Sequence, residues 1–152
     1  MTPEIREVSV RDVIAGERVV ITLPANVYEA TLADDVFVGP FCEIQRGVSI
    51  GARTRIQSHT FVCELVTIGE DCFVGHGVMF VNDLLRGGPA RGDRSRWLPT
   101  SIGNRVSIGS NATILPVTIC DDVVIGAGSV VTRDISEPGT YTGSPARRMA
   151  AG

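Results

Sequence analysis

The sequence predicts an all-β chain wound as a triangular parallel β-solenoid, with one long protruding loop. Three observations carry that prediction. An aliphatic residue recurs every six positions from Leu32 through Val38, Ile44, Ile50, Ile56, Val62 and Ile68 to Val74. Four residues after each comes a second, smaller residue, as at Val36, Cys42, Val48, Thr54 and Thr60. The residue directly after the aliphatic is often glycine, as at Gly39, Gly51, Gly69 and Gly75. With 43% of the chain apolar, eight successive aliphatic hits arise by chance about once in a thousand tries.

A period of six fits neither a helix nor a simple strand alternation. It fits short strands joined by tight turns, with positions i and i+4 both pointing inward and glycine permitting the turns. Three hexads close a coil of about 18 residues, and coils stack as parallel strands ~4.8 Å apart. The whole of 1–152 reads as one domain. A coil-like lead opens it, and the repeat coils span 20–82 and 100–135. The frame is lost in the Gly-, Pro- and Arg-rich segment 83–99, which is expected to leave the solenoid as a loop. It returns at Ile102, Ile108, Ile114, Ile119, Ile125 and Val131, one residue short between Ile114 and Ile119. Residues 136–152 are expected to run off the end as an extended tail.

Composition removes several chemistries. All 14 basic residues are arginine, so catalytic lysines, Schiff bases and the GxxxxGK[ST] phosphate loop are excluded. The four cysteines form no CxxC pair and no zinc-ligand spacing, and are expected to be reduced. Cys42 and Cys72 fall on inward i+4 positions, and Cys63 and Cys120 are read as packing too. A net charge of −3 offers no footprint for nucleic acid. No apolar run approaches the roughly 20 residues of a membrane span. The start, Met-Thr-Pro-Glu-Ile-Arg, does not read as a secretory signal, so a cytoplasmic location is expected.

Residues one coil apart share a corner. Arg46, Glu64 and Asn82 occupy the i+2 position of hexads at 44, 62 and 80 and are expected to form a column. That column is either a solvated charge ladder or part of a site. Ser58 and His76 stack on the neighbouring corner with His59 beside them, near the root of the long loop. These groups form the main concentration of titratable side chains, and the histidines are candidate general bases.

The runs FVGHGVMFVND, SIGSNATILPVTICDDVVIGAGSVVTRDI and GSPAR resemble the hexapeptide-repeat, left-handed β-helix acyltransferases. They are most similar to those that N-acetylate nucleotide-linked amino sugars. The left hand of the coil comes from this resemblance. So does the expectation of acetyl-CoA as co-substrate, an amino-sugar acceptor, a homotrimer with grooves between subunits, and no metal. On this resemblance Asn82 matches an amine-orienting asparagine and Glu64 an acidic position, with His76 and then His59 as further catalytic candidates. Ser110, Gly126 and Ala127 match backbone positions that contact the cofactor, and Arg147 and Arg148 are expected to meet its phosphates. Three other readings share the fold: an O-acetyltransferase, a non-catalytic binding solenoid, and a γ-type carbonic anhydrase. The last needs three histidines per zinc, and this chain has two.

Overall fold

A computed structural model describes residues 1–150. Three parallel sheets form the faces of a triangular prism. Face 1 has seven strands, face 2 has six and face 3 has eight. Face 1 contains Asn26–Tyr28, Glu43–Ile44, Phe61–Val62, Met79–Phe80, Thr113–Ile114 and Val130–Val131, preceded by Val10–Arg11. Face 2 runs from Ile14–Ala15 to Thr118–Ile119. Face 3 runs from Val20–Ile21 through Val123–Ile125 to Gly139–Thr142, with Arg147–Arg148 added antiparallel as its eighth strand. Each strand is only a few residues long because the chain turns a corner at every hexad.

The hexad aliphatics are the core. Ile44, Ile56, Val62, Val74 and Ile114 are fully buried, as are the smaller partners Val36, Val78, Val106 and Ala112. Burying one such side chain stabilises by about 1.5–3 kcal/mol, and the same burial repeats in coil after coil. Two buried hydroxyls are satisfied by the backbone: Thr54 Oγ1 donates to Gly69 O at 2.8 Å and Thr60 Oγ1 to Gly75 O at 3.0 Å. Cys42, Cys63 and Cys72 are buried and Cys120 half-buried, and all four thiols are free. Burial pushes the Cys63 thiol up to about 12, so it is not a nucleophile at neutral pH.

Pairing refines the coil length. Ile44 pairs across to Val62, a full three hexads on, but Val27 pairs with Ile44 and Ile108 with Ile125, each one position short of that step. Across the loop, Val74 pairs with Ile108, so the excursion is spliced out of the stack. Strand pairing also begins before residue 20, because Val10 and Arg11 pair with Val27 and Tyr28. At the other end, the tail folds back where an extended run was expected. Gly139–Thr142 extends face 3 beside Val123–Ile125, and Arg147–Arg148 returns antiparallel to it. No helix among the described residues is long and apolar enough to cross a membrane.

Candidate active site

The prism has three edges, and the chemistry-bearing residues divide between two of them. The corner from face 1 to face 2 carries Gln45–Arg46, Glu64, Asn82 and the 83–99 loop. The corner from face 3 to face 1 carries Ser58–His59, His76, Ser110 and Gly126–Ala127. The third corner, from face 2 to face 3, is a charge ladder. There Arg18 pairs with Asp35 at 2.6 Å, Arg53 with Asp71 at 2.7 Å and Arg105 with Asp122 at 2.7 Å. The neighbouring guanidinium holds each of these carboxyls below its ordinary range.

At the loop corner, Glu64 and Asn82 stack as their spacing requires. Asn82 Nδ2 donates to Glu64 O at 3.2 Å, and the Glu64 amide donates to Gln45 Oε1 at 3.2 Å. Arg46 leaves the expected column and pairs downward with Glu29 at 2.7 Å. Glu29 and Arg46 are separated by one position less than three hexads, and this shorter coil brings them into reach. The Glu64 carboxylate instead receives Arg94 Nη2 from the loop at 3.0 Å. Leu98 N donates to Asn82 O at 2.9 Å, so the loop leaves and rejoins the prism at one point.

At the histidine corner, Ser58 Oγ and His76 Nδ1 are 2.9 Å apart, which fixes the imidazole and turns Nε2 outward. His76 is a base at Nε2 when Nδ1 carries the hydrogen and donates to Ser58. His59 has φ +63 and stacks on Phe41, with ring centroids 5.0 Å apart. It is a corner residue packed on an aromatic. The histidines are not at the root of the loop. His76 and Asn82 lie in successive hexads, so one whole side of the triangle separates them, on the order of 20 Å of extended chain. Within one chain they cannot act on the same atom.

The histidine corner has a second property. At the ladder corner, the i+2 amides of Glu17, Glu70 and Asn104 are capped at 2.8 Å by Asp34, Asn104 and Asp121 of the next coil, while those of Asp34, Ala52 and Asp121 donate to no group among the described residues. At the histidine corner, the equivalent amides of Ser58, His76, Ser110 and Ala127 donate to no group among the described residues. Three of the four carbonyls are engaged: Ser58 O, His76 O and Ser110 O accept from Gly77, Asn111 and Gly128 at 3.0, 2.8 and 2.9 Å. The edge is a file of free N–H donors at coil spacing, which suits a linear ligand rich in amides.

The C-terminal hairpin closes the top of this edge. Gly126 N donates to Tyr141 O at 2.9 Å, and Ala146 N to Val130 O at 2.8 Å. Arg148 is held by Glu137 at 2.6 Å and by Pro138 O at 2.9 Å. Among the described residues the Arg147 guanidinium bonds only its neighbour's carbonyl, Ala146 O at 3.0 Å, and it lines a cleft of about 230 Å³ shared with Arg133, Tyr141 and Arg148. Sequence reasoning missed Arg94 and Arg133: the loop has no period to place Arg94, and Arg133 lies just past the regular hexads. No group of three His, Cys, Asp or Glu among the described residues is arranged to hold a metal.

Comparison with known proteins agrees with the architecture. Residues 99–133 match the family described as the hexapeptide repeat of succinyl-transferase. The chain is 37% identical over 105 residues, 68% of its length, to the bifunctional protein GlmU of Limosilactobacillus fermentum. It is 31% identical over 142 residues to the Streptococcus uberis protein of the same name. It spans 21% and 29% of those two proteins. AntD, an N-acyltransferase from Bacillus cereus solved with dTDP and coenzyme A, superposes with a TM-score of 0.79 at 22% identity, over 90% of this chain and 82% of that one. Perosamine N-acetyltransferase from Caulobacter crescentus, solved with CoA and GDP-perosamine, gives 0.66 at 22% identity, over 91% and 58%. The coil geometry and these matches make the chain a hexapeptide-repeat β-helix protein.

Proposed function

We propose that the protein is an acetyl-CoA-dependent N-acetyltransferase whose acceptor is an amino sugar, linked to a nucleotide. The observation that carries this reading is the stacked Glu64–Asn82 pair at the root of the loop, a carboxylate and an amide on one rigid edge. A carboxylate attracts the acceptor's ammonium. Asn82 anchors its Nδ2 by one N–H on Glu64 O, which leaves Oδ1 to accept from the amine and aim its lone pair. The free amides of Ser110 and Ala127, beside Gly126, support a pantetheine track along the histidine edge, with Arg147 beyond it for phosphate. Arg148 serves that end by clamping the hairpin to Glu137.

In the chemical step the amine nitrogen attacks the thioester carbonyl. The C–N bond forms, the C–S bond breaks and coenzyme A leaves as the thiol. Backbone N–H groups of the edge offset the negative charge on the carbonyl oxygen. The ammonium first loses a proton to solvent; as the amine attacks, His76 Nε2 takes the second proton from the nitrogen and passes it to the departing sulfur, with His59 beside it as the lesser candidate. Since Asn82 and His76 sit on different edges, the complete site needs the histidine edge of a second copy against the loop corner of the first. This supports a homotrimer. The four free thiols fit a reducing, cytoplasmic setting.

A second reading has one observation in its favour. The Ser58–His76 bond orients a base of the kind a hydroxyl acceptor needs, which suits O-acetylation. One experiment separates the two: incubate the protein with acetyl-CoA and paired amino and hydroxy sugars, free and nucleotide-linked, and follow thiol release. Acetylation confined to the amines supports the first reading, and acetylation of hydroxyls alone replaces it with the second. CoA binding without any turnover removes both. Light scattering at the monomer mass of 16.2 kDa would remove the shared site.

A further inference from the structure

Glu64 is delivered by a rigid coil, whereas Arg94, much later in the sequence, is delivered by the loop. The partners are unequally exposed: the Glu64 side chain keeps 14% of its surface and that of Arg94 keeps 56%. Arg94 opens a single 3-10 turn, Arg94–Arg96, whose cap Asp93 accepts from Ser95 N at 3.1 Å. Trp97, the only tryptophan in the sequence, follows with its ring 5.6 Å from the Arg94 guanidinium. The turn belongs to no sheet, and the bond between Arg94 and Glu64 joins it to the coil below. Arg46, the other cation nearby, is already committed to Glu29.

We infer that Arg94 is a displaceable stand-in for the acceptor's ammonium. The inference rests on the reading of Glu64 as the ammonium site and adds a gate to it. A guanidinium and a primary ammonium are both N–H donors bearing one positive charge, and a carboxylate this enclosed cannot hold both without like-charge repulsion. Arrival of the amine therefore expels Arg94 and frees the 83–99 loop, with Trp97, from its hold on the coil. A neutral hydroxyl acceptor cannot make this exchange, so the gate itself selects for amines.

Two measurements test it. The first needs no acceptor: limited trypsin digestion of the full chain, wild type against Glu64→Gln, with Trp97 emission recorded alongside. Glu64→Gln keeps the side chain's shape and removes its charge, so cleavage after the loop arginines is expected to be several-fold faster and the emission to shift. Equal cleavage with unshifted emission overturns the latch. The second uses the best amine found by thiol release. Arg94→Gln is expected to lower that amine's KM about two- to fivefold, the range an ion pair this exposed can hold shut. Acetyl-CoA KM should stay constant and Arg94→Lys should return the amine KM toward wild type. A raised or unchanged amine KM in Arg94→Gln overturns the inference. Failure of the wild type to acetylate any amine instead removes the parent reading, whatever trypsin shows.

Discussion

Asn82 sits one coil above Glu64 and donates to its backbone carbonyl, not to its carboxylate. The amide is thereby fixed by the scaffold while the carboxylate is left to a cation, Arg94 in this structure. If Asn82 Oδ1 aims the acceptor amine, Asn82→Ala should lower kcat about 10²-fold or more with little effect on acetyl-CoA KM, because the lost bond acts on the reacting nitrogen. Steady-state kinetics with one accepted amine check this. A silent Asn82→Ala would transfer the role to His76.

The histidine edge makes a separate claim. A general base contributes roughly 10²- to 10⁴-fold, so His76→Ala should lose activity on that scale and flatten the acid limb of the pH profile. Ser58→Ala should give a smaller loss, since it frees the ring without removing it. His59→Ala should act mainly on stability through its stack on Phe41. Profiles of kcat/KM from about pH 5.5 to 9 separate a base from a packing residue.

The two C-terminal arginines should behave differently. Arg147→Ala should weaken CoA binding about five- to tenfold, the loss of one charge-assisted contact. Arg148→Ala should first loosen the hairpin that Glu137 holds closed, and so lower thermal stability. Calorimetric titration with CoA and a thermal melt of each variant distinguish phosphate contact from hairpin clamp.

Asp35, Asp71 and Asp122 titrate below the ordinary carboxylate range because each receives an arginine. A depressed folded value means stabilisation present above the unfolded carboxylate pKa, about 3.9, and lost as pH falls through the folded value. Arg53→Gln should therefore melt below wild type at pH 7, and the gap should close as the pH drops under about 4. A gap that persists in acid would mean the ladder acts through packing.

The hexads were legible because burial leaves them no freedom: Ile44, Ile56 and Val62 must face inward or the coil has no interior. The Glu64–Asn82 stack follows from the same counting. Nearness in sequence points the histidines to the loop, but nearness along a solenoid is not nearness in space. His76 and Asn82 belong to successive hexads, and in a triangle successive hexads occupy successive corners. A uniform hexad count also sends Arg46 toward Glu64, whereas the step from Val27 to Ile44 is one position short and delivers Glu29 instead. The ladder Arg18, Asp35, Arg53, Asp71 is written in the sequence at coil spacing but only makes sense once the corners are assigned. Arg94 has no such signal, since a loop without a period gives no register from which to project a side chain.

The single bond from Leu98 N to Asn82 O has a consequence for how such proteins diversify. It brings the two ends of a long excursion together on an otherwise uninterrupted prism, with Val81 N still reaching Ile114 O at 2.9 Å in the coil above. The coils on either side register against each other directly and owe nothing to what lies between residues 83 and 97. Closing a loop twice as long costs only about 0.6 kcal/mol more, so the excursion can lengthen, shorten or be exchanged wholesale while the solenoid stays the same. The molecule is a spool with one cassette whose length the coils do not constrain.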